Sequence, residues 1–479
     1  MEKSIGRLFM ALGLAFGLMF NVWQPLSPAE AAPDPPALTD LELLGKHLFF
    51  DTNLSTPPGM SCATCHDPKV GWTGPNSEIN AAGAVMPGVI HTRAGNRKPP
   101  SAAYAGESPV MYYDEVKGLI FGGMFWDGRA TGWTLGDPLQ EQALGPFLNP
   151  VEMHNPKEIK VVVMALLRSE YADLFEQVYW DETGEMIDHG KLDVDALYQV
   201  IGKAIAAYER SDEVNPFDSR FDEFWRAATA AGFKVEDIKQ SNWAGYKPYA
   251  DGILNDTELF GLAVFNDQAK CSTCHVLTPS GADGNKPPLF TDFSYDNIGI
   301  PKNPLNPFYT QPRKINPDGE LWVDQGLGGF LAATTDTASD GETYASKALG
   351  NYGKHKVPTL RNVAKRVKWN GTEWVDDPEC VRAYGHNGYF KSNFQIQDGS
   401  FSFTQIHPLQ HIMHFYNTRD VPGQGWPPPM PVRVPWPDPE VAANMNTTEL
   451  GNLGLNPSLG QPVLQFLSTL SDTSTPTPP

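Results

Sequence analysis

Two short strings constrain this chain more than anything else in it: Ser61-Cys62-Ala63-Thr64-Cys65-His66 and, far downstream, Lys270-Cys271-Ser272-Thr273-Cys274-His275. Each reads C-x-x-C-H. Two thiols one turn apart can add to the two vinyl groups of a haem, while the next residue offers its imidazole to the iron. The plainer readings fit less well. A His directly after the second Cys is badly placed to complete a zinc tetrahedron, and no further Cys pair follows at ligand spacing. A redox dithiol needs a single C-x-x-C, normally in a βαβ context that the flanking residues do not offer. Two covalently bound c-type haems are therefore expected, with His66 and His275 as proximal iron ligands. Four of the five cysteines are thereby used, and Cys380 reads as a buried free thiol, with intermolecular pairing as the alternative.

The N-terminus points to export. Lys3 and Arg7 precede an apolar run from Leu8 to Phe20, and Ala29-Glu30-Ala31 supplies an A-x-A cleavage site. Residues 1–31 read as a signal peptide, which places the remainder in the periplasm. That run is short for a membrane span and no later stretch reaches the required length, so no membrane insertion is expected. A net charge of −20 gives no electrostatic case for nucleic acid or anionic lipid, and would steer a basic partner protein toward the chain.

Thr39-Asp40-Leu41-Glu42 forms a capping box ahead of Leu41, Leu44, Leu48 and Phe49 on one helical face. Asn255 and Glu258 form another ahead of Leu259, Leu262, Ala263 and Phe265. Each helix delivers the chain to one C-x-x-C-H string, so the two halves read as an internal repeat. The spacing predicts further helices over 156–178, 194–208 and 408–418, with loop from His66 to Ala105. A total of 44 Gly and 43 Pro implies long connections between them. The expected fold is mainly α, with two cytochrome c-like haem modules and long loops. Residues 32–245 form the first module. Residues 246–420 form the second, with an insertion over 276–346 running across its surface. Residues 421–479 are expected to be an extended Pro-rich C-terminal segment ending in a disordered tail.

In order along the chain, several strings then resemble the bacterial di-haem cytochrome c peroxidase family, which includes MauG. They are Leu44-Gly45-Lys46 with Leu48-Phe49-Phe50-Asp51, the first C-x-x-C-H followed by Asp67-Pro68, Phe125-Trp126-Asp127-Gly128-Arg129, Glu141-Gln142-Ala143 with Gly145-Pro146, Asn149-Pro150-Val151-Glu152-Met153, and Val357-Pro358-Thr359-Leu360-Arg361-Asn362-Val363. The resemblance implies that the haem on His66 reacts with peroxide, while the haem on His275 stores or relays an oxidising equivalent. It puts Glu152 at the family's distal acid–base position, with Gln142 and Pro146 beside it, and Trp126 between the haems. Chemistry suits Glu152 independently, because heterolysis of a peroxide needs a proton moved from the near to the far oxygen. The plainer alternatives are a helix-capping Glu152 and an ordinarily buried Trp126. Arg129 and Arg361 would hold haem carboxylates or form structural ion pairs.

For the second haem, Tyr416 falls where ordinary peroxidases of the family have Met and where MauG has Tyr. A phenolate favours oxidised iron, whereas a thioether favours the ferrous state. Met413, three residues earlier on the same helix face, competes with it, and His411 and His414 lie on the same helix. Two departures from the family pattern matter. His91 is the nearest candidate for a residue that blocks the first haem at rest, but it is one residue off the spacing, so an open first haem is expected. At the inter-haem calcium site the family offers an Asn in Arg-Asn-x-Pro, where this chain has Arg97-Lys98-Pro99-Pro100. An ammonium cannot ligate calcium. Either Asn96 substitutes or Lys98 supplies the positive charge itself.

The resemblance thus implies a haem-dependent peroxidase that takes hydrogen peroxide at the N-terminal haem and oxidises an external donor. Tyr416 favours MauG-like oxidation of a partner protein. The alternatives are a peroxide-detoxifying cytochrome c peroxidase fed by a small redox protein, and a non-enzymatic di-haem electron carrier. The carrier has no use for Gln142, Pro146 and Glu152.

Overall fold

The computed structural model describes residues 37–155, 158–392, 407, 409–426 and 434–479. The expected signal peptide, the start of the helix expected at Pro408, and the Pro-rich stretch 427–433 lie outside the described residues. The α-helices of eight or more residues are α1 (Asp40–Phe50), α2 (Pro138–Leu148), α3 (Ile159–Leu166), α4 (Ala172–Thr183), α5 (Val194–Arg210), α6 (Arg220–Ala230), α7 (Asp256–Asn266), α8 (Gly326–Ala333), α9 (Gln410–Thr418) and α10 (Pro457–Ser468). Sheets among the described residues are two-stranded ribbons, including β1 (Tyr112–Asp114) with β2 (Leu119–Phe121) and β3 (Tyr295–Asp296) with β4 (His355–Lys356).

Both capping boxes form. Thr39 Oγ1 accepts from the Glu42 amide at 3.3 Å and the Glu42 carboxylate accepts from the Thr39 amide at 2.8 Å. Asn255 Oδ1 accepts from the Glu258 amide at 3.0 Å, and Glu258 from the Asn255 amide at 2.9 Å. Such reciprocal bonds satisfy amides that a helix start leaves without partners. The apolar faces of α1 and α7 then pack on a partner helix, α5 and α10 respectively, and the two crossings are alike. A Cβ on Gly45 of α1 would lie 1.9 Å from the Ala204 carbonyl oxygen of α5, and one on Gly261 of α7 would lie 2.0 Å from that of Pro462 in α10. Only glycine permits so close an approach of backbones.

One core runs from Leu44 to Phe217 and includes Leu289, and a second runs from Phe221 to Leu470. Helix α6, which the sequence reading puts with the first module, therefore packs into the second core through Phe221, Phe224 and Trp225. Residues 37–479 nonetheless form one compact unit. No helix among the described residues is long and apolar enough to cross a membrane.

Three expectations change. The helix expected over 156–178 breaks between α3 and α4, where Ser169 Oγ donates to the Leu166 carbonyl at 2.7 Å and competes with the helical ladder. The 276–346 segment is not only a surface excursion. Its Leu327 and Leu331 are fully buried, and they build a third core with Met111 and Ile120 of the β1–β2 region. The C-terminal segment is not extended throughout. Helix α10 starts on an Asn456 cap with Pro457 at its first turn, a position where a missing N–H costs nothing, and it buries Val463, Leu464 and Phe466. The tail beyond it is tied down as far as Ser474, whose amide donates to Asp218 at 2.9 Å, while Asp472 accepts from the Tyr104 hydroxyl at 2.8 Å.

Candidate active site

Each C-x-x-C-H string opens onto a cavity. The first, of about 1270 Å³, is lined by Cys62, Cys65 and His66 together with Trp126, Arg129, Gln142, Pro146 and Glu152. Two adjoining cavities of about 1020 and 970 Å³ share Cys271, His275, Trp126 and Tyr416, and the larger also takes in Cys274. Trp126 is thus a wall common to both sites.

The two histidines are prepared in the same way. His66 Nδ1 lies 3.1 Å from the Trp72 carbonyl and His275 Nδ1 lies 2.9 Å from that of Phe290. A carbonyl can only accept, so the proton sits on Nδ1 and leaves each Nε2 lone pair for a metal. Burial lowers the basicity of both imidazoles, His66 to about 4, so both are neutral as a ligand must be. Burial also pushes the Cys65 and Cys271 thiols up to about 12. The donor set, its tautomers and the apolar walls fit two thioether-linked haems.

In the wall of the first cavity, Gln142 and Pro146 are four residues apart on α2 and so share a face. Asp137 starts that helix by accepting from the Leu139 amide at 2.9 Å. The missing N–H of Pro146 withdraws a ladder bond, and the helix stops at Leu148. The turn that follows presents Glu152, whose Oε2 accepts from Asn149 Nδ2 at 2.9 Å. Burial raises the Glu152 carboxyl above its usual range against the opposing pull of Arg129 and Asn149. Arg129 pairs with Asp127 at 2.9 Å and stacks on Phe125.

Sequence reasoning missed Glu209. It is buried in the wall of the first cavity, and burial lifts its carboxyl to about 8. The signal was available, because Glu209 lies four residues after Ile205 and eight after Ile201, on the apolar stripe of α5.

Around the second site, Tyr416 lines both lobes with His275, while Met413 reaches only one. His411 Nδ1 accepts from the Lys391 amide at 3.2 Å and its ring stacks on Trp436, and His414 Nε2 meets the Gly425 carbonyl at 2.8 Å. Neither lines these cavities. Arg361 walls the smaller lobe, but its guanidinium is committed to Asp222 at 2.6 Å and to the Pro288 carbonyl at 2.7 Å, the ion-pair alternative. His91 is exposed and stands outside the first cavity's wall. Cys380 is buried, as expected of a free thiol.

An ionic chain runs beside Trp126 from one cavity to the other. Arg129 pairs with Asp127, Asp127 with Arg97 at 2.6 Å, and Arg97 with Asp324 through two hydrogen bonds of 2.7 and 2.6 Å. Asp324 then faces His355 at 3.3 Å, and the His355 and His386 rings stack with centroids 3.5 Å apart. Burial alone would raise the Asp324 carboxyl, but Arg97 and His355 reverse this and hold it well below the usual range.

The family model for di-haem cytochrome c peroxidases matches residues 39–230. The methylamine utilization protein MauG of Paracoccus denitrificans is 31% identical over 443 residues, covering 91% of this chain and 90% of the relative. The chain belongs to the di-haem cytochrome c peroxidase family. The cytochrome-c peroxidase IdrP1 of a Pseudomonas species is 24% identical over 378 residues, covering 78% of this chain and 75% of its own. The diheme peroxidase BthA from Burkholderia thailandensis shares the fold at a TM-score of 0.63 and 25% identity, over 93% of this chain and 91% of that one. Membership makes the chain a haem-dependent peroxidase, an oxidoreductase, and implies two c-type haems. His66 and His275 with their Cys pairs are the residues that would hold them.

Proposed function

We propose that this is a periplasmic di-haem peroxidase that takes hydrogen peroxide at the His66 site and, with Tyr416 as the residue that would hold the second haem together with His275, oxidises a side chain of a partner protein in the manner of MauG. When bound, the haems supply the electrons that a peroxide bond needs on cleavage. The protein supplies the proton path and the walls. Asn149 occupies Glu152 Oε2, leaving Oε1 to collect a proton from the near peroxide oxygen and deliver it to the far one. The raised basicity of that carboxyl suits both halves of the transfer. Gln142 and Pro146 shape the space in which peroxide stands, and Trp126 bridges to the second site.

The observation that carries the MauG-like reading is Tyr416, which lines both second-site lobes together with the same histidine. Met413 in the smaller lobe supports the second reading, a detoxifying peroxidase drawing electrons from a small redox protein. Electron paramagnetic resonance of the ferric holoprotein separates them. One high-spin and one low-spin signal are expected, both lost on one equivalent of peroxide without prior reduction. Y416F is expected to change the low-spin signal and M413L to leave it intact. The reverse pattern would transfer the assignment to Met413, and two low-spin signals that respond only after half-reduction would overturn the open first site.

A further inference from the structure

The strip between the two sites holds positive charge without acidic partners. Lys98 is 7% exposed and lines both the first cavity and the smaller second-site lobe. Its Nζ donates to Thr73 Oγ1 at 2.7 Å and to the Pro99 carbonyl at 2.9 Å, a hydroxyl and a main-chain oxygen of the kind a hard cation takes. No carboxylate pairs with it among the described residues. Arg382 lines the same lobe, is 4% exposed, and has a buried Nε without a hydrogen-bond partner. The main chain of Lys98 is equally engaged. Its carbonyl accepts from Trp126 Nε1 at 2.8 Å and its amide donates to the His386 carbonyl at 2.8 Å.

These residues do not fit calcium. A Ca²⁺ ion needs six to eight oxygens, usually with carboxylates among them. Here the two nearest neutral oxygens already accept from an ammonium, which would itself repel a divalent ion. What the strip does fit is an anion, and the anions that two haems bring are their own carboxylates. Buried cations without partners are costly unless such a charge arrives.

We propose that Lys98, backed by Arg382, is the resident cation between the two haem sites, so that this chain pairs haem carboxylates with an ammonium and needs no calcium there. Lys98 is then a positioning residue, holding Trp126 through its carbonyl and the cofactor carboxylates through its side chain. This rests on the reading that both sites carry haem. Haem is therefore counted first by the pyridine haemochrome method, and a sample lacking two haems fails that reading rather than this one.

The test is calcium analysis of the wild-type di-haem protein after passage through a chelator, with optical and electron paramagnetic resonance spectra recorded before and after. Expected are substoichiometric calcium and unchanged spectra. K98N, which replaces the ammonium by a neutral oxygen ligand, is expected to shift the second-site potential and to make the spectra depend on added calcium, while K98R keeps the wild-type indifference. One tightly held calcium per wild-type protein whose removal alters the spectra would overturn the proposal. So would a K98N protein with wild-type potentials and no response to calcium. If K98N does not load haem, the wild-type measurement decides alone.

Discussion

The two C-x-x-C-H sites follow one plan up to the histidine and diverge beyond it. In each, a capped helix crosses its partner at a glycine, Gly45 against Ala204 and Gly261 against Pro462. In each, the imidazole Nδ1–H donates a hydrogen bond to a main-chain carbonyl, that of Trp72 or of Phe290. In the rest of the cavity lining the likeness ends. The first presents a carboxyl, an amide and a proline ring, and the second presents a phenol and a thioether. What is repeated is main-chain geometry that seats a cofactor, and what is not repeated is the side-chain chemistry facing it. A repeated scaffold can therefore present two different sets of side chains without changing the main-chain seat of either histidine.

The largest expected effect separates the facing residues from the scaffold. E152Q keeps shape and removes the proton carrier, so the rate of reaction with peroxide in stopped flow is expected to fall about 10²–10⁴-fold, with the second site's spectrum unchanged. In the wild type that rate should rise with pH as Glu152 ionises, through a limb lying above the usual carboxylate range, and the limb should vanish in E152Q. Next come the crossings. G45A and G261A each force a methyl group into a carbonyl oxygen, and each is expected to cost ~1–3 kcal/mol in denaturant unfolding. Hydrogen exchange should place the loosening in α1 and α5 for the first and in α7 and α10 for the second. A neutral result at either glycine would break the shared plan. Last is Glu209, which lines the first site and whose effect is read only as a dependence on pH. Its folded-state carboxyl keeps a proton up to about 8, whereas the unfolded chain loses it from 4.5 upward. The unfolded state thus binds fewer protons in that window, and stability falls as pH rises through it. E209Q is expected to flatten that fall in the thermal midpoint measured from pH 4.5 to 8.

Local signals were legible where local chemistry decides. Thr39 with Glu42 and Asn255 with Glu258 mark helix starts because cap and partner are three residues apart. The C-x-x-C-H strings mark cofactor seats for the same reason. What long-range packing decides was not legible. Pro462, inside α10, argues against that helix in isolation, and α10 forms where Gly261 lets it dock against α7. The α8 segment reads as surface until Met111 and Ile120 arrive from far upstream to bury Leu327 and Leu331. At the sites, Cys62, Cys65, His66, Gln142, Pro146 and Glu152 meet in one cavity as the strings suggest. Arg361 goes instead to Asp222, a partner that no motif names.

Trp126 is held twice, its indole by the bond from Nε1 to the Lys98 carbonyl at 2.8 Å and its main-chain carbonyl by the Lys356 amide, which donates to it at 2.9 Å. An indole that gives up an electron becomes a far stronger acid at that nitrogen, and its usual escape is to hand the proton to a base. Here the neighbour is an amide oxygen, which accepts a hydrogen bond but does not take a proton. If the proposed function holds and an electron vacancy reaches this ring, the bond to Lys98 offers no base to take the proton, so the ring is expected to stay a cation until the next donor fills it. On that reading the bond would make Trp126 a wire rather than a trap.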